Sequence, residues 1–419
     1  MSAQQKSYVP MIIIGALFFI FGFVTWLNSV LIPFLKQACQ LTDFQAYFVT
    51  LAFYISYFVM AIPSSFILKK IGFAKGMSVG LATMAIGSLI FIPAAQIRSY
   101  PLFLVGLFAQ GTGMTLLQTA SNPYVTILGP IESAAKRISI MGICNKVAGM
   151  IGIFILGGLL FSDTQTLSEK IASLTGAELA NELDLLASRV VVPYVIMAVV
   201  LGGLALMILK AHLPEINPEE EGLETSESKL KGKKLSIFDY PHLVLGVICI
   251  FVYVGVEVIA IDTIGLYGEY QGFDLNTASK FGIYSLIALT VGYLLQIAII
   301  PKYLSQGVAL ALSAVMGFVF IILAMVTNGW ISIGFIVLLS FANSFMWPSI
   351  WPLALNNLGQ FTKLGSALLI MGVVGGALLP LVYGALADGS NRQIAYWMAL
   401  PCYLYIVFYA TKGSKVRTA

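Results

Sequence analysis

Long apolar runs, separated by short polar stretches, fill most of the 419-residue chain. A helix needs roughly 20 apolar residues to cross the hydrocarbon core of a bilayer. That length predicts six membrane spans before a polar interval and six after it. The predicted spans, numbered 1 to 12 in chain order, are 9–36, 44–70, 74–97, 101–127, 138–162, 190–212, 242–268, 279–301, 303–327, 330–357, 362–388 and 392–411. The predicted fold class is therefore an all-α membrane protein.

The polar interval divides the spans into two halves. Residues 213–241 start with an acidic block and then turn basic, which is typical of a solvated linker. We therefore predict an N-terminal six-helix bundle over residues 1–212, a cytoplasmic linker over 213–241 and a C-terminal six-helix bundle over 242–419.

The two halves carry traces of a duplication. Met141-Gly142 and Met371-Gly372 lie 230 positions apart, and Leu128-Gly129 and Leu358-Gly359 keep the same spacing. A weaker match of Gly22 with Gly255 places Ser29 opposite Asp262. Twelve spans in two related halves are the pattern of a major-facilitator transporter, whose substrate lies near the midplane between the halves.

Composition excludes several function classes. The chain is 59% hydrophobic and 10% charged, whereas soluble domains have about 25% charged residues. The net charge of +4 is spread over loops, so we expect no nucleic-acid partner. The four cysteines form no CxxC pair, and the two histidines, His212 and His242, flank the linker. Without a catalytic constellation such as HExxH, we expect neither an enzyme nor a resident cofactor or metal.

Lysine and arginine positions predict the topology. They concentrate in the segments on the side of the termini, such as Lys69-Lys70, Lys136-Arg137 and the linker lysines. This bias predicts that both termini are cytoplasmic. The first run is too long for a signal-peptide core, so we expect it to remain as span 1. The longest external loop, 163–189, has a pattern from Leu167 to Leu186 that predicts a surface helix.

Three ionisable residues fall well inside the predicted spans: Lys146, Glu257 and Asp262. Charged groups at membrane depth are costly and usually serve a function. Lys146 either pairs with a carboxylate or substrate or extends its stem to the surface. Glu257 is either a coupling residue or a structural acid. Asp262 points about 140° away from Glu257 around an ideal helix, so both reach one cavity only if span 7 is bent.

Neutral polar side chains suggest a ligand with many hydroxyl groups, because amides both donate and accept hydrogen bonds. Gln118 and Asn122 share one face of span 4. In span 10, Asn343, Trp347 and Trp351 have the same four-residue spacing, and an indole face can stack on a sugar ring. The alternative is helix packing or interface anchoring. The remaining candidates for the cavity are Asn28, Ser29 and Asn145.

The run from Thr119 to Pro130, TASNPYVTILGP, resembles the fourth helix of the fucose–galactose–glucose:H+ symporter family of the major facilitator superfamily. Further matches lie in both halves, at Leu41–Ala46, Ala52–Tyr54, Tyr253–Gly255 and Asn357–Lys363. The resemblance implies sugar uptake across a bacterial inner membrane by alternating access. It also supports Asn145 as a sugar ligand.

One departure from the family pattern concerns coupling. Fucose-transporting members use an aspartate in span 1 and a glutamate in span 4, where this chain has Ser29 and Gln118. Neither residue titrates, and Gln118 is similar to the glucose/galactose branch. Coupling then falls to Glu257 or Asp262, with Lys146 as counter-ion. In a proton form, burial favours the protonated acid until the cavity opens inward. In a sodium form, Na+ binds near Glu257 or Asp262, since oxygen ligands suit a hard cation.

These observations predict a monomeric secondary transporter that takes up a hexose together with H+ or Na+, and family resemblance favours H+. The substrate-binding candidates are Gln118, Asn122, Asn145, Asn28, Trp347, Trp351 and Asn343. The coupling candidates are Glu257, Asp262, Lys146 and Ser29. The alternatives are an uncoupled sugar facilitator and an exporter of another small molecule on the same fold.

Overall fold

The computed structural model describes residues 8–127, 134–161, 171, 173–210, 240–300, 303–356, 358 and 362–416. Within these residues, twelve helical segments are long and apolar enough to cross a membrane. The predicted number of spans is confirmed. The linker lies outside the described residues up to position 239, and the helix of span 7 begins at Pro241.

The N-terminal half contains spans 1 to 6 and one additional helix. That additional helix, Gly176–Ser188, lies between spans 5 and 6 and buries Leu183, Leu186 and Ala187. It matches the C-terminal part of the predicted surface helix. The spans are Tyr8–Trp26 with Asn28–Cys39, Asp43–Ala46 with Phe48–Ile71, Phe73–Gln96, Tyr100–Ile127, Ala134–Leu160 and Val191–Lys210.

The C-terminal half contains spans 7 to 12, several of them in two pieces. A short helix, Leu275–Ala278, precedes span 8. The spans are Pro241–Asp262 with Ile264–Tyr270, Phe281–Ile299, Gln306–Val326, Gly329–Asn343 with Met346–Leu355, Thr362–Gly372 with Gly375–Gly389, and the 3₁₀ turn Ile394–Met398 with Ala399–Thr411.

Spans 1 and 10 are each divided into two helices. Span 1 is interrupted at Leu27, and span 10 at Ser344 and Phe345. In each case a proline follows within seven residues, Pro33 in span 1 and Pro348 in span 10. A proline lacks the N–H that would bond the carbonyl four residues earlier. Serine hydroxyls add competing bonds to the backbone nearby, from Ser29 to the Trp26 carbonyl at 2.8 Å in span 1.

Spans 7 and 11 are also divided into two helices. Span 7 is interrupted at Thr263, whose hydroxyl bonds the Ile259 carbonyl at 2.7 Å. Span 11 is interrupted at Val373 and Val374, where successive N–H groups bond the carbonyl three residues back. Such 3₁₀ bonding in mid-helix often marks a hinge. Hydropathy counts missed these breaks because they leave the apolar character of the run unchanged.

The two halves meet along spans 2 and 11 and along spans 5 and 8. Glycines permit close packing at both places: Gly149 of span 5 faces Leu286 of span 8, and Gly376 of span 11 faces Tyr54 of span 2.

Candidate functional site

Span 5 holds Asn145 and Lys146 against Trp26 of span 1. The indole Nε1 of Trp26 donates a hydrogen bond to Oδ1 of Asn145 at 3.1 Å. The Lys146 ammonium lies 4.1 Å from the centre of the Trp26 ring, within the range of a cation–π interaction. Gly22 makes this contact possible, because a Cβ there would overlap the Asn145 carbonyl. One tryptophan therefore orients two candidate residues.

Gln118 of span 4 faces span 2. Its side chain is half-buried and lies within hydrogen-bonding reach of the Tyr57 phenol. Span 4 stays helical through Pro123, so Asn122 follows Gln118 by one turn on the same helix. The side chain of Asn122 lies outside the described part of the structure.

Three aromatic side chains, Tyr253, Trp347 and Trp351, form a cluster near Glu257 in the C-terminal half. The Tyr253 phenol, one turn earlier on span 7, lies within hydrogen-bonding reach of the Glu257 carboxylate. The Tyr253 ring is 6.3 Å from Trp347, and Trp347 is 5.4 Å from Trp351. Within the described residues the Nε1 donor of Trp351 is buried and has no partner. In span 10, Trp347 thus packs near Tyr253 of span 7, and Trp351 keeps one donor without a partner among the described residues.

Lys146 and Glu257 belong to different halves and act on each other electrostatically. Both are buried, with 8% and 9% of their surface exposed. The snorkelling alternative is therefore not what the structure shows. The two form no direct ion pair, and the ion pairs of the described residues lie elsewhere. Lys146 rests on Trp26, and Oε1 of Glu257 has no partner in the described chain.

Asp262 is the most deeply enclosed acid of the site. It is 0% exposed, and neither carboxylate oxygen has a partner among the described residues. The helix of span 7 runs unbroken from Glu257 to Asp262 and is interrupted only afterwards, so the two acids point to different sides. Tyr54 of span 2 nevertheless lies close enough to interact electrostatically with both acids.

Three other candidates occupy packing positions in this structure. Asn343 is fully buried and accepts a hydrogen bond from Tyr403 of span 12 at 2.9 Å. The Ser29 hydroxyl bonds the Trp26 carbonyl, as described above. Asn28 is buried next to the break in span 1, and its Nδ2 has no partner among the described residues. Asn28 and Asn343 each keep an amide nitrogen without a partner among the described residues, but Asn343 also uses its acceptor within its own half.

Sequence reasoning missed four aromatic residues that hold the site: Trp26, Tyr54, Tyr57 and Tyr253. Trp26 carried a usable signal, since tryptophans in membrane proteins collect at the interfaces and this one falls in the middle of a span. The tyrosines carried none, because tyrosine is common throughout this chain.

Comparison with known proteins agrees with this architecture. The Major Facilitator Superfamily model matches residues 14–380. A glucose/galactose transporter of Brucella abortus is 35% identical over 418 residues, covering 99% of this chain and 96% of that protein. An L-fucose-proton symporter of Escherichia coli is 28% identical over 422 residues, covering 100% and 96%.

Among solved structures, the crystal structure of the Escherichia coli fucose:proton symporter superposes with a TM-score of 0.71 at 26% identity, covering 98% of this chain and 100% of that one. The twelve spans, the two halves and these full-length matches agree. The chain is a member of the Major Facilitator Superfamily, in the sugar-transporter family of the Brucella abortus relative.

Proposed function

We propose that this protein takes up a monosaccharide of the glucose/galactose type across a bacterial inner membrane, together with a cation. The observation that supports the proposal is the electrostatic interaction of Lys146, next to Asn145 in the N-terminal half, with Glu257 of the C-terminal half. The N-terminal half offers the amides of Gln118 and Asn145, and the C-terminal half offers the indoles of Trp347 and Trp351. The names of the relatives, a glucose/galactose transporter and an L-fucose-proton symporter, support the same substrate class.

In this proposal the sugar binds between the halves. Asn145, Gln118, Asn28 and Asn122 exchange hydrogen bonds with hydroxyl groups, and an indole of span 10 covers one face of the ring. Amides suit this task because each provides donors and an acceptor. Rocking of spans 1–6 against spans 7–12 then exposes the sugar to one side of the membrane at a time.

Coupling is assigned to Glu257 with Lys146 as its counter-ion. Because the two lie on different halves, a rocking motion changes their separation. A close lysine favours the ionised glutamate and a distant one favours the protonated form, so proton uptake and release follow the conformation. Ser29 and Gln118 do not titrate and cannot take this part. Asp262 is then a neutral structural acid.

The sodium form of the proposal rests on the same acids. The two unpartnered oxygens of Asp262 or the free oxygen of Glu257 would hold Na+ with neighbouring hydroxyl and carbonyl oxygens. The second candidate function is an uncoupled facilitator. It is favoured by the replacement of both acids of the fucose-transporting members by Ser29 and Gln118.

Proteoliposomes test these forms directly. Counterflow of labelled glucose, galactose, mannose and N-acetylglucosamine identifies the sugar class. Accumulation under a pH gradient or a sodium gradient then identifies the cation. Accumulation driven by the pH gradient alone is the expected result. Counterflow without accumulation under either gradient would leave the facilitator, and no counterflow of any sugar would overturn the proposal.

Three further properties belong to this proposal: both termini are cytoplasmic, the protein acts as a monomer, and the membrane is the inner one. The first follows from the lysine and arginine bias. Labelling of an engineered terminal cysteine with an impermeant reagent in right-side-out vesicles tests it, and labelling without permeabilisation would contradict it.

A further inference from the structure

A charged cluster joins the two halves on the side of the membrane opposite the termini. Arg392, between spans 11 and 12, forms two parallel bonds with the Asp43 carboxylate, from Nε at 2.7 Å and from Nη2 at 3.0 Å. Nη1 of Arg392 also donates to the Leu266 carbonyl at 2.8 Å and to Glu269 at 3.0 Å, both in the second helix of span 7. Lys36, at the end of span 1, forms a further ion pair with Asp43.

A second contact crosses the halves at the same place. The Asp388 carboxylate, at the end of span 11, accepts the backbone N–H groups of Asp43 and Phe44 at 2.8 and 2.9 Å. These N–H groups belong to the first turn of span 2, where Thr42 and Gln45 form a capping box. The Asp43 side chain of the N-terminal half is thus bound by the C-terminal half, and the Asp388 side chain of the C-terminal half is bound by the N-terminal half. We refer to Asp43, Arg392 and Asp388 as the outer latch.

The outer latch is partly shielded from water, which makes its breakage costly. The side chains of Asp43 and Arg392 are 6% and 15% exposed. Exposed ion pairs contribute little, but removal of one partner from a buried pair leaves an uncompensated charge. Burial by itself lowers the pKa of Arg392, but the hydrogen bonds and charge of Asp43 outweigh it and raise that pKa above its usual range. Arg392 therefore remains charged in the latch.

Next to the outer latch, side chains of span 2 pack closely against span 11. The Tyr47 ring of span 2 lies 5.6 Å from the Tyr383 ring of span 11, and the Tyr383 phenol donates to the Arg392 carbonyl at 2.8 Å. A Cβ at Gly384 would overlap Tyr47 and the backbone of Phe44. These contacts exist only while the two halves are together on this side.

We propose that the outer latch is the gate element that holds the halves closed on this side, and that every transport cycle must break it to admit substrate. The inference concerns which side of the molecule is closed, and it does not depend on the identity of the sugar or the cation. The group of the N-terminal half in the latch, Asp43, lies in the first turn of span 2, and the groups of the C-terminal half lie at the end of span 11 and between spans 11 and 12. Separation of the halves on this side therefore cannot leave Arg392 bound to Asp43.

A spin-label distance measurement tests the proposal in the full chain in proteoliposomes. Val192 and Trp330 are exposed residues at the outer ends of spans 6 and 10, one in each half. Both are changed to cysteine in a background in which the four native cysteines are replaced. Arg392→Gln and Asp43→Asn are each expected to raise the population with a long label distance at least about threefold, because the closed state loses its cross-half bonds.

The chain offers a matched control on the same side. Arg98 and Asp184 form an ion pair at 3.3 Å entirely within the N-terminal half. Arg98→Gln removes an ion pair of the same chemistry, and the label distances should stay as in the parent. An equal shift in Arg98→Gln and Arg392→Gln would mean that any outer charge matters, and this would overturn the latch.

A third variant guards against loss of folding. Asp388→Asn keeps the shape of the side chain and removes the charge of the carboxylate that accepts two backbone hydrogen bonds. The population with a long label distance is therefore expected to rise, but by less than in Arg392→Gln. Each variant is first checked for a monodisperse elution profile. Unchanged distance distributions in the folded variants Arg392→Gln, Asp43→Asn and Asp388→Asn would overturn the proposal. These readouts use no substrate, so they stand apart from the test of sugar uptake.

Discussion

Spans 1 and 5 of the N-terminal half pack closely, and so do spans 7 and 11 of the C-terminal half. In the first pair the glycine at the contact lies on the first helix, and in the second pair it lies on the second helix. In the N-terminal half, Gly22 of span 1 allows the Asn145 backbone of span 5 to approach. In the C-terminal half, Gly375 of span 11 allows the Phe251 backbone of span 7 to approach. The spacing of 230 residues makes Gly375 the counterpart of Asn145 itself.

The position of the glycine in each pair decides which helix carries polar side chains at the contact. Span 5 keeps side chains at its contact and carries Asn145 and Lys146. Span 11 has Gly375 and Gly376 at the equivalent positions, and the ionisable groups of that half, Glu257 and Asp262, lie on span 7. A duplicated unit has thus become a face rich in amides and a face with an acid. The difference suggests a division between sugar binding and coupling.

The largest effect is expected from removal of the acid. Glu257→Gln should abolish gradient-driven accumulation while counterflow of the same sugar continues, because exchange needs no net proton movement. Lys146→Met should also lower accumulation, since Glu257 loses its counter-ion. Uptake and counterflow are measured on the same proteoliposomes. Asp262→Asn serves as the comparison, and loss of accumulation only in Asp262→Asn would transfer the coupling role to Asp262.

The close approach of the helix pairs is tested by adding a methyl group to each glycine. Gly22→Ala and Gly375→Ala should each destabilise the protein by about 1–3 kcal/mol, the usual effect of overpacking. Thermal unfolding in detergent provides the measurement. Gly158→Ala is the matched control, because no atom lies within 4 Å of its added Cβ. Equal stability of all three variants would show that the packing relaxes easily.

The amide face is tested at a single hydrogen-bonding residue. Asn145→Ala should raise the apparent KM for sugar about tenfold, which corresponds to the loss of about one buried hydrogen bond. The control is Asn343→Ala, which removes the bond to Tyr403 and should lower thermal stability while leaving the KM near its parent value. A larger KM change in Asn343→Ala would return that residue to the binding site.

The smallest effect is expected from the residue that orients the amide face. Trp26→Phe keeps an aromatic ring under Lys146 but removes the donor to Asn145. The apparent KM should rise about threefold, in line with one weakened hydrogen bond, and the accumulation ratio should stay unchanged. Trp26→Leu removes the ring as well and should lower accumulation too. Identical behaviour of the two variants would argue against separate roles of the N–H group and the ring.

Much of the fold could be predicted from the sequence because hydropathy is a local property. The twelve spans need no knowledge of contacts, and their number is confirmed. The division at the linker and the duplication at Met141 and Met371 stay predictions. Hydropathy does not locate the breaks in spans 1, 7, 10 and 11, since residues such as Pro33, Pro348 and Thr263 change the backbone hydrogen bonds without shortening the apolar run.

The sequence by itself also determined that Ser29 and Gln118 cannot carry a proton, because this follows from side-chain chemistry alone. Only the tertiary structure decided how the remaining polar groups are paired. It placed Lys146 on Trp26, engaged Asn343 with Tyr403, and joined Arg392 to Asp43 across 349 positions. The physical reason is the low dielectric of the membrane interior and of packed protein. Each buried polar group there needs a partner, and which partner it finds depends on helices that are distant in the chain.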